Sequence, residues 1–317
     1  MIPGKEKSMS NTPYDDVFRT LLNDCSSLIL PVINEVFGEN YTGEEKIIFS
    51  PNEHFLNSQD GGEQERITDT CFTVLGTKEK KYHWECQSRP DSSMLVRIFE
   101  YDAQIALDQG EVRKNKLIVT FPHSAVLFLR CNKNTPEEMT VEIRTPGTNA
   151  SYNIPVMKSQ HFTVEKIFEK RLLFLIPFHI FCHEKLLALY DQSASQRKVL
   201  EAEYEDIRGR LETLLEQGAI DEYTKCTIVD MSWRVLENIA RDYENVKKGV
   251  KSVMGGKVLD YEAKRIKTEG RREGKKEGKL EALVELVRDN ILSVQEAASR
   301  ANLTETGFRE FMQNYGK

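Results

Sequence analysis

The stretch RITDTCFTVLGTKEKKYHWECQS, Arg66 to Ser88, constrains the fold more than any other part of the chain. Lys81, His83, Glu85 and Gln87 alternate with Tyr82, Trp84 and Cys86, and a period of two gives a strand one polar and one apolar face. The apolar face goes to a core, which leaves acids on a face where a half-buried sheet rarely tolerates them. A short loop around Thr77 to Lys80 folds the preceding run back as the second arm of a hairpin. If that loop sets Asp69 opposite Gln87, Glu85 becomes the diagonal neighbour of Asp69, roughly 7–8 Å away and within side-chain reach.

Two close carboxylates repel each other, and such a pair is kept by a shared proton or by a hard cation such as Mg2+. In the cation reading, Asp69 and Glu85 bind Mg2+ (or Mn2+) and the Cys86 backbone carbonyl supplies a third oxygen. Gln87 then holds a water or a phosphate oxygen through its amide, and water activation beside a phosphate is the implied chemistry. The plainer reading of the same residues is a surface hairpin with a solvated polar face, and spacing alone favours it.

Asp69 followed by Glu85-x-Gln87 across a hairpin, with DDVF at Asp15 to Phe18 upstream and RIFEYDAQIA at Arg97 to Ala106 downstream, resembles the PD-(D/E)XK nuclease superfamily. It is most similar to the Rpn-type branch, the recombination-promoting nucleases also described as nuclease-family transposases, and the likeness covers most of the chain. The resemblance implies an α/β fold, a restriction-endonuclease-like mixed sheet flanked by helices with an all-helical C-terminal extension. It further implies a metal-dependent DNA endonuclease with Asp69, Glu85 and Gln87 as catalytic residues, linked to recombination or mobile elements. One departure is that the usual lysine of the superfamily is Gln87 here, as is common in that branch. Glutamine cannot be a general base, so Gln87 is assigned to positioning.

The net charge of −6 argues against a uniformly basic coat, but its distribution is uneven. Between Lys247 and Lys279 twelve Lys and Arg stand against five Asp and Glu, so attraction to phosphate is local. Within that run Glu269 begins EGRR, EGKK, EGKL, whose Arg271, Arg272, Lys275 and Lys276 are candidate DNA contacts or a solvated helix face. Six scattered cysteines without a C-x-x-C pair read as reduced, mostly buried thiols. The N-terminus lacks the apolar core of a signal peptide, and the apolar run Leu172 to Cys182, interrupted by Pro177 and His179, is short of the roughly 20 residues of a spanning helix. A cytoplasmic protein without a membrane segment is expected.

Along the chain, residues 1–12 read as a disordered leader and 13–190 as the nuclease-like domain. Tyr14 to Phe37 is helical in pattern, broken or kinked at Pro31. Asp15 and Asp16 suit its start as capping acids, and Glu35 is a candidate extra metal acid. Lys46 to Leu56 reads as the first strand. A helix begins near Asp91 and Ser92 and ends at Gly110; Arg97 and Tyr101 share one of its faces, either to meet a DNA phosphate or to pair and pack locally. Lys116 to Arg130 supplies one or two strands, with Ala125 to Leu129 central, and Met139 to Arg144 pairs with Tyr152 to Met157.

Thr163 to Tyr190 reads as helix interrupted near Pro177. His179 and His183 stand i, i+4 with Cys182 between, a spacing that can bind zinc, but the sequence shows no second ligand pair. The two therefore read as core or partly buried histidines. Residues 191–254 form a charged helical region, Ser193 onward, with a break at Gly218 and a long helix Glu222 to Val253; this pair either packs on the sheet or makes a homo-oligomer. Residues 255–279 read as a basic linker and 280–317 as a small tail with a helix-turn-helix look, its second helix capped by Ser293 and Glu296. Two readings compete with the nuclease: a catalytically inactive nuclease fold that holds DNA or protein, and an oligomeric assembly protein.

Overall fold

A computed structural model describes residues 13–49, 53–57, 63–67, 70–88, 93–255, 280, 283–284, 286–288, 292–301 and 303–314. The chain divides into two compact units, Met1–Gly256 and Lys257–Lys317.

The first unit begins with α1 (Pro13–Asp24) and α2 (Ile29–Phe37), separated by a single 3-10 turn, Ser26–Leu28. The break falls there rather than at Pro31. Pro31 sits in the first turn of α2, where a missing N–H leaves no intrahelical bond unmade. Gly38, at φ 67°, ends α2 in the left-handed conformation that glycine adopts without a Cβ penalty.

The run expected as one first strand is two strands in different sheets. β1 (Lys46–Phe49) belongs to the main sheet, whereas β2 (Glu53–Asn57) pairs antiparallel with β3 (Glu63–Ile67) as a separate ladder. The main sheet continues with β4 (Thr70–Leu75) and β5 (Glu79–Gln87), joined by a three-residue loop, Gly76 to Lys78. α3 (Met94–Asp108) follows, then the small β6 (Glu111–Arg113) and β7 (Lys116–Ile118) ladder, then β8 (His123–Phe128). The hairpin β9 (Glu138–Arg144) and β10 (Asn149–Lys158) completes it.

The main sheet is six-stranded in the order β1-β4-β5-β8-β10-β9 and mixed: β5, β8 and β10 run parallel to one another, with antiparallel neighbours outside them. A parallel β5–β8 pair needs a crossover over one sheet face, and α3 with the β6–β7 ladder makes it. Met94 and Ile98 of α3 pack on Val126, Phe128, Ile154 and Val156. The opposite face is the larger core, where Phe72, Tyr82, Trp84, Cys86, Ala125 and Leu127 meet α1 and α2.

Helices after the sheet complete that core: α4 (Val164–Glu169), a 14-residue 3-10 segment (Leu173–Leu186), α5 (Leu187–Gln192), α6 (Ala194–Glu216), α7 (Glu222–Ile239) and α8 (Glu244–Met254). The expected interruption lies before the 3-10 segment, at Arg171 with φ 56°, and not at Pro177, which is buried inside it. A 3-10 run this long is unusual, because its hydrogen-bond geometry is poorer than that of an α-helix. The long helix expected over Glu222 to Val253 is two helices, α7 and α8, with the break at 240–243. Leu200, Tyr204, Ile207 and Leu211 of α6, Met231 and Val235 of α7 and Val246 and Val250 of α8 are buried in the same core as the sheet.

Leu173–Gln192 is long and apolar enough to cross a membrane by length and composition, longer than the apolar run in the sequence suggests. Of its most apolar window, 61% is buried inside the protein. Its apolar surface is thus spent on the core.

In the second unit, helices Val294–Ala301 and Glu305–Asn314 bury Ala297, Ala298 and Phe308 against Leu280, Leu283 and Val284. The expected capping box is present: Glu296 N–H donates to Ser293 Oγ at 3.2 Å, and Ser293 N–H donates to Glu296 Oε2 at 3.1 Å. The expected leader and the linker segment 256–279, with Arg271, Arg272, Lys275 and Lys276, lie outside the described residues.

Candidate functional site

Because β5 lies inside the sheet, between β4 and β8, both of its faces are covered. Tyr82, Trp84 and Cys86 enter the larger core, as the alternation predicts. His83, Glu85 and Gln87 point to the side that α3 crosses, and that side is closed rather than solvated: their exposures are 1%, 3% and 9%.

The hairpin register differs from the one that would place Asp69 opposite Gln87. Thr70 pairs with Trp84 and Cys71 with His83, whereas the expected register would put Cys71 opposite Glu85. The three-residue loop sets this two-residue difference. Asp69 itself lies outside the described residues, as do Asp91 and Ser92 at the expected start of the helix.

A chain of hydrogen bonds runs across the polar face. Gln87 Nε2 donates to Glu85 Oε2 at 3.3 Å, and His83 Nε2 lies 3.2 Å from Glu85 Oε1. His83 Nδ1 lies 2.7 Å from Asp102 Oδ1, on the crossover helix. Asp102 is fully buried and also accepts from Ser124 Oγ at 2.6 Å and from the Tyr152 hydroxyl at 3.0 Å. Ser124 is the register partner of His83 on β8, and Tyr152 comes from β10, so three strands converge on one carboxylate of α3.

Burial opposes a charge on His83, but the hydrogen bonds to Asp102 and then Glu85 outweigh it and push the imidazole up to about 9. At neutral pH His83 is therefore an imidazolium donating through both ring nitrogens. It bridges two buried carboxylates and cannot act as a general base. The Tyr152 hydroxyl is raised as well, by burial first and by Asp102 second.

This makes stability depend on pH. A His whose folded value is raised contributes stability fully below its unfolded value and loses it as pH climbs through the folded one. The shift from 6.5 to about 9 on a fully buried ring predicts a loss of roughly 2–3 kcal/mol between pH 7 and pH 10. Urea unfolding across that range measures it, and a His83→Gln chain should lack this component.

Of the other sequence candidates, Tyr101 is buried, its ring packed edge-on against His83 with centroids 5.9 Å apart. Arg97 is half-buried along the same helix face, with Nη2 3.7 Å from Met94 Sδ. Glu35 forms an exposed ion pair with Lys170 Nζ at 2.6 Å. The Cys86 side chain lies in the larger core, on the face away from Glu85.

Sequence reasoning missed Asp102, Ser124 and Tyr152. A signal for Asp102 was present: Met94, Ile98, Tyr101 and Ile105 make the buried stripe of α3, and Asp102 falls inside it. An acid on an apolar stripe needs a buried partner. The partners of Ser124 and Tyr152 depend on strand order, which no local pattern encodes.

Comparison with protein-family models, with curated proteins and with solved structures yields no match in any of the three.

Proposed function

We propose that the chain is a metal-dependent DNA endonuclease of the PD-(D/E)XK class, its catalytic face built on β5. The observation that supports this reading best is the pairing of Glu85 and Gln87 on one interior strand, with Glu85 fixed from behind by His83 and, through it, by Asp102. A carboxylate held by a protonated imidazole that is itself held by a buried acid is the kind of oriented ligand that metal sites use.

Carboxylate oxygens are the ligand type that Mg2+ and Mn2+ take, so the donor chemistry of Glu85 fits, with Asp69 and the Cys86 carbonyl as the further oxygens. When bound, the cation would polarise the scissile phosphate and make water a competent nucleophile. Glu85 holds its position, Gln87 orients water or a phosphate oxygen, and His83 keeps one carboxylate oxygen of Glu85 engaged. DNA is the proposed substrate, with the basic segment around Arg271, Arg272, Lys275 and Lys276 and the half-buried Arg97 of the crossover helix as its proposed contacts; Tyr101 packs inside the protein and is not among them.

A specific observation favours a second reading. Glu85 is 3% exposed, with His83 and Gln87 on its two oxygens, which is also how a nuclease fold would neutralise an acid no longer used for chemistry. Incubation of the intact chain with supercoiled plasmid separates the two. The endonuclease produces nicked and linear forms in Mg2+ or Mn2+ and none with chelator. Retention of intact plasmid in a gel shift, with no breakage in either metal, supports the binding module instead.

A further inference from the structure

We propose that His179, His183 and Glu203 form a binding site for a zinc-class transition-metal ion, separate from β5. The two histidines come from the 3-10 segment and the glutamate from α6. His179 Nε2 lies 2.5 Å from Glu203 Oε1, and His183 Nε2 lies 3.1 Å from Glu203 Oε2. The three donor atoms all lie within 4.8 Å of one another. Four-coordinate zinc with bonds of about 2.1 Å sets its donors roughly 3.4 Å apart, so small side-chain adjustments suffice to seat the ion.

The far side of each ring is arranged as the far side of a metal-bound imidazole is. His179 Nδ1 lies 3.9 Å from Cys182 Sγ, whose own thiol is directed at the Gln160 carbonyl. His183 Nδ1 lies 3.2 Å from the Tyr190 hydroxyl. Both Nδ1 atoms are thereby engaged, and both Nε2 atoms face Glu203. His183 Nε2 is cut off from solvent and, although close to Glu203, is not aligned to hydrogen-bond with it. That buried ring nitrogen lacks an aligned partner among the described residues, and a cation between the three groups would provide one.

The donor set selects the ion. Two imidazoles and one carboxylate suit Zn2+, Co2+ or Ni2+, whereas Mg2+ and Ca2+ prefer all-oxygen cages. Glu203 is 29% exposed at its side chain, so the site has a route to solvent and a fourth position for water or a small ligand. Binding an ion requires both Nε2 atoms to present lone pairs, so it is favoured as pH rises.

The full chain, stripped with chelator, is titrated with Co2+ and then Zn2+. One equivalent of Co2+ should give the visible absorption of a four-coordinate nitrogen–oxygen site, and Zn2+ should erase it. Zn2+ at about 100 times its dissociation constant should raise Tm by roughly 5–10 °C. Glu203→Gln, close to isosteric, and His183→Phe should each lose the cobalt band and weaken Zn2+ binding by about 100-fold, while Glu85→Gln keeps both. The Tm rise of the intact chain needs no variant. Absence of the band and of the Tm rise in the intact chain would overturn the site, as would their persistence in both Glu203→Gln and His183→Phe.

Discussion

Replacing Asp102 with alanine is expected to remove about 3–5 kcal/mol of stability, the cost of breaking a buried ion pair by deleting one partner. The reason lies in what stays behind. The His83 imidazolium loses the closer of its two carboxylates, and the Ser124 and Tyr152 hydroxyls lose their shared acceptor in a space closed to water. For a unit of this size the loss corresponds to a fall in Tm of about 10 °C. Both tryptophans, Trp84 and Trp233, lie in the first unit, so urea unfolding followed by fluorescence reads that unit. His83 should also lose much of its upward shift, and the fall in stability above pH 7 should flatten. A loss under 1 kcal/mol with the pH profile unchanged would mean that Asp102 does not hold His83.

Glu85→Gln is expected to remove cleavage and to cost less stability than the loss of Asp102, because the buried His83 imidazolium keeps the closer of its two carboxylates. The amide keeps the shape of the side chain and still accepts from His83 Nε2, but it carries no charge for a cation. Loss of one preorganised electrostatic contact slows enzymes by about 10²–10³-fold, and loss of a metal ligand should reach at least the upper end. By contrast His83→Gln acts only through the orientation of Glu85, so a fall of roughly 10–100-fold is expected, partly recovered by raising Mn2+.

The fold was legible where local chemistry decides it. The alternation along β5, the turn residues of the β9–β10 hairpin and the Ser293–Glu296 box each lie within a short window, and each appears where the residues put it. Helix breaks were harder. Pro31 and Pro177 drew attention as breakers, yet Pro31 lies where proline is harmless and Pro177 sits within a 3-10 run. The real stops, at 25–28, 170–172 and 240–243, follow from how the helices must turn to cover one core.

The site was legible on one strand only. Glu85 and Gln87 stand out by alternation, and His83 shares their face, but its meaning needs Asp102, which arrives on the crossover helix. Likewise His179 and His183 looked incomplete because Glu203 is twenty residues further on, on another helix, and only tertiary packing joins them. Sequence spacing finds ligands that share an element, and it misses those that strand order or helix packing bring in.

The central claim, that the His83–Glu85–Gln87 face performs chemistry, is tested most directly by metal-dependent nicking of supercoiled plasmid by the intact chain and by Glu85→Gln, matched for folded fraction. The account predicts nicking by the intact chain in Mg2+, none with chelator, and a fall of about 10³-fold in Glu85→Gln at equal folded fraction. Equal nicking by both proteins, or none by the intact chain in Mg2+ and Mn2+, would contradict it.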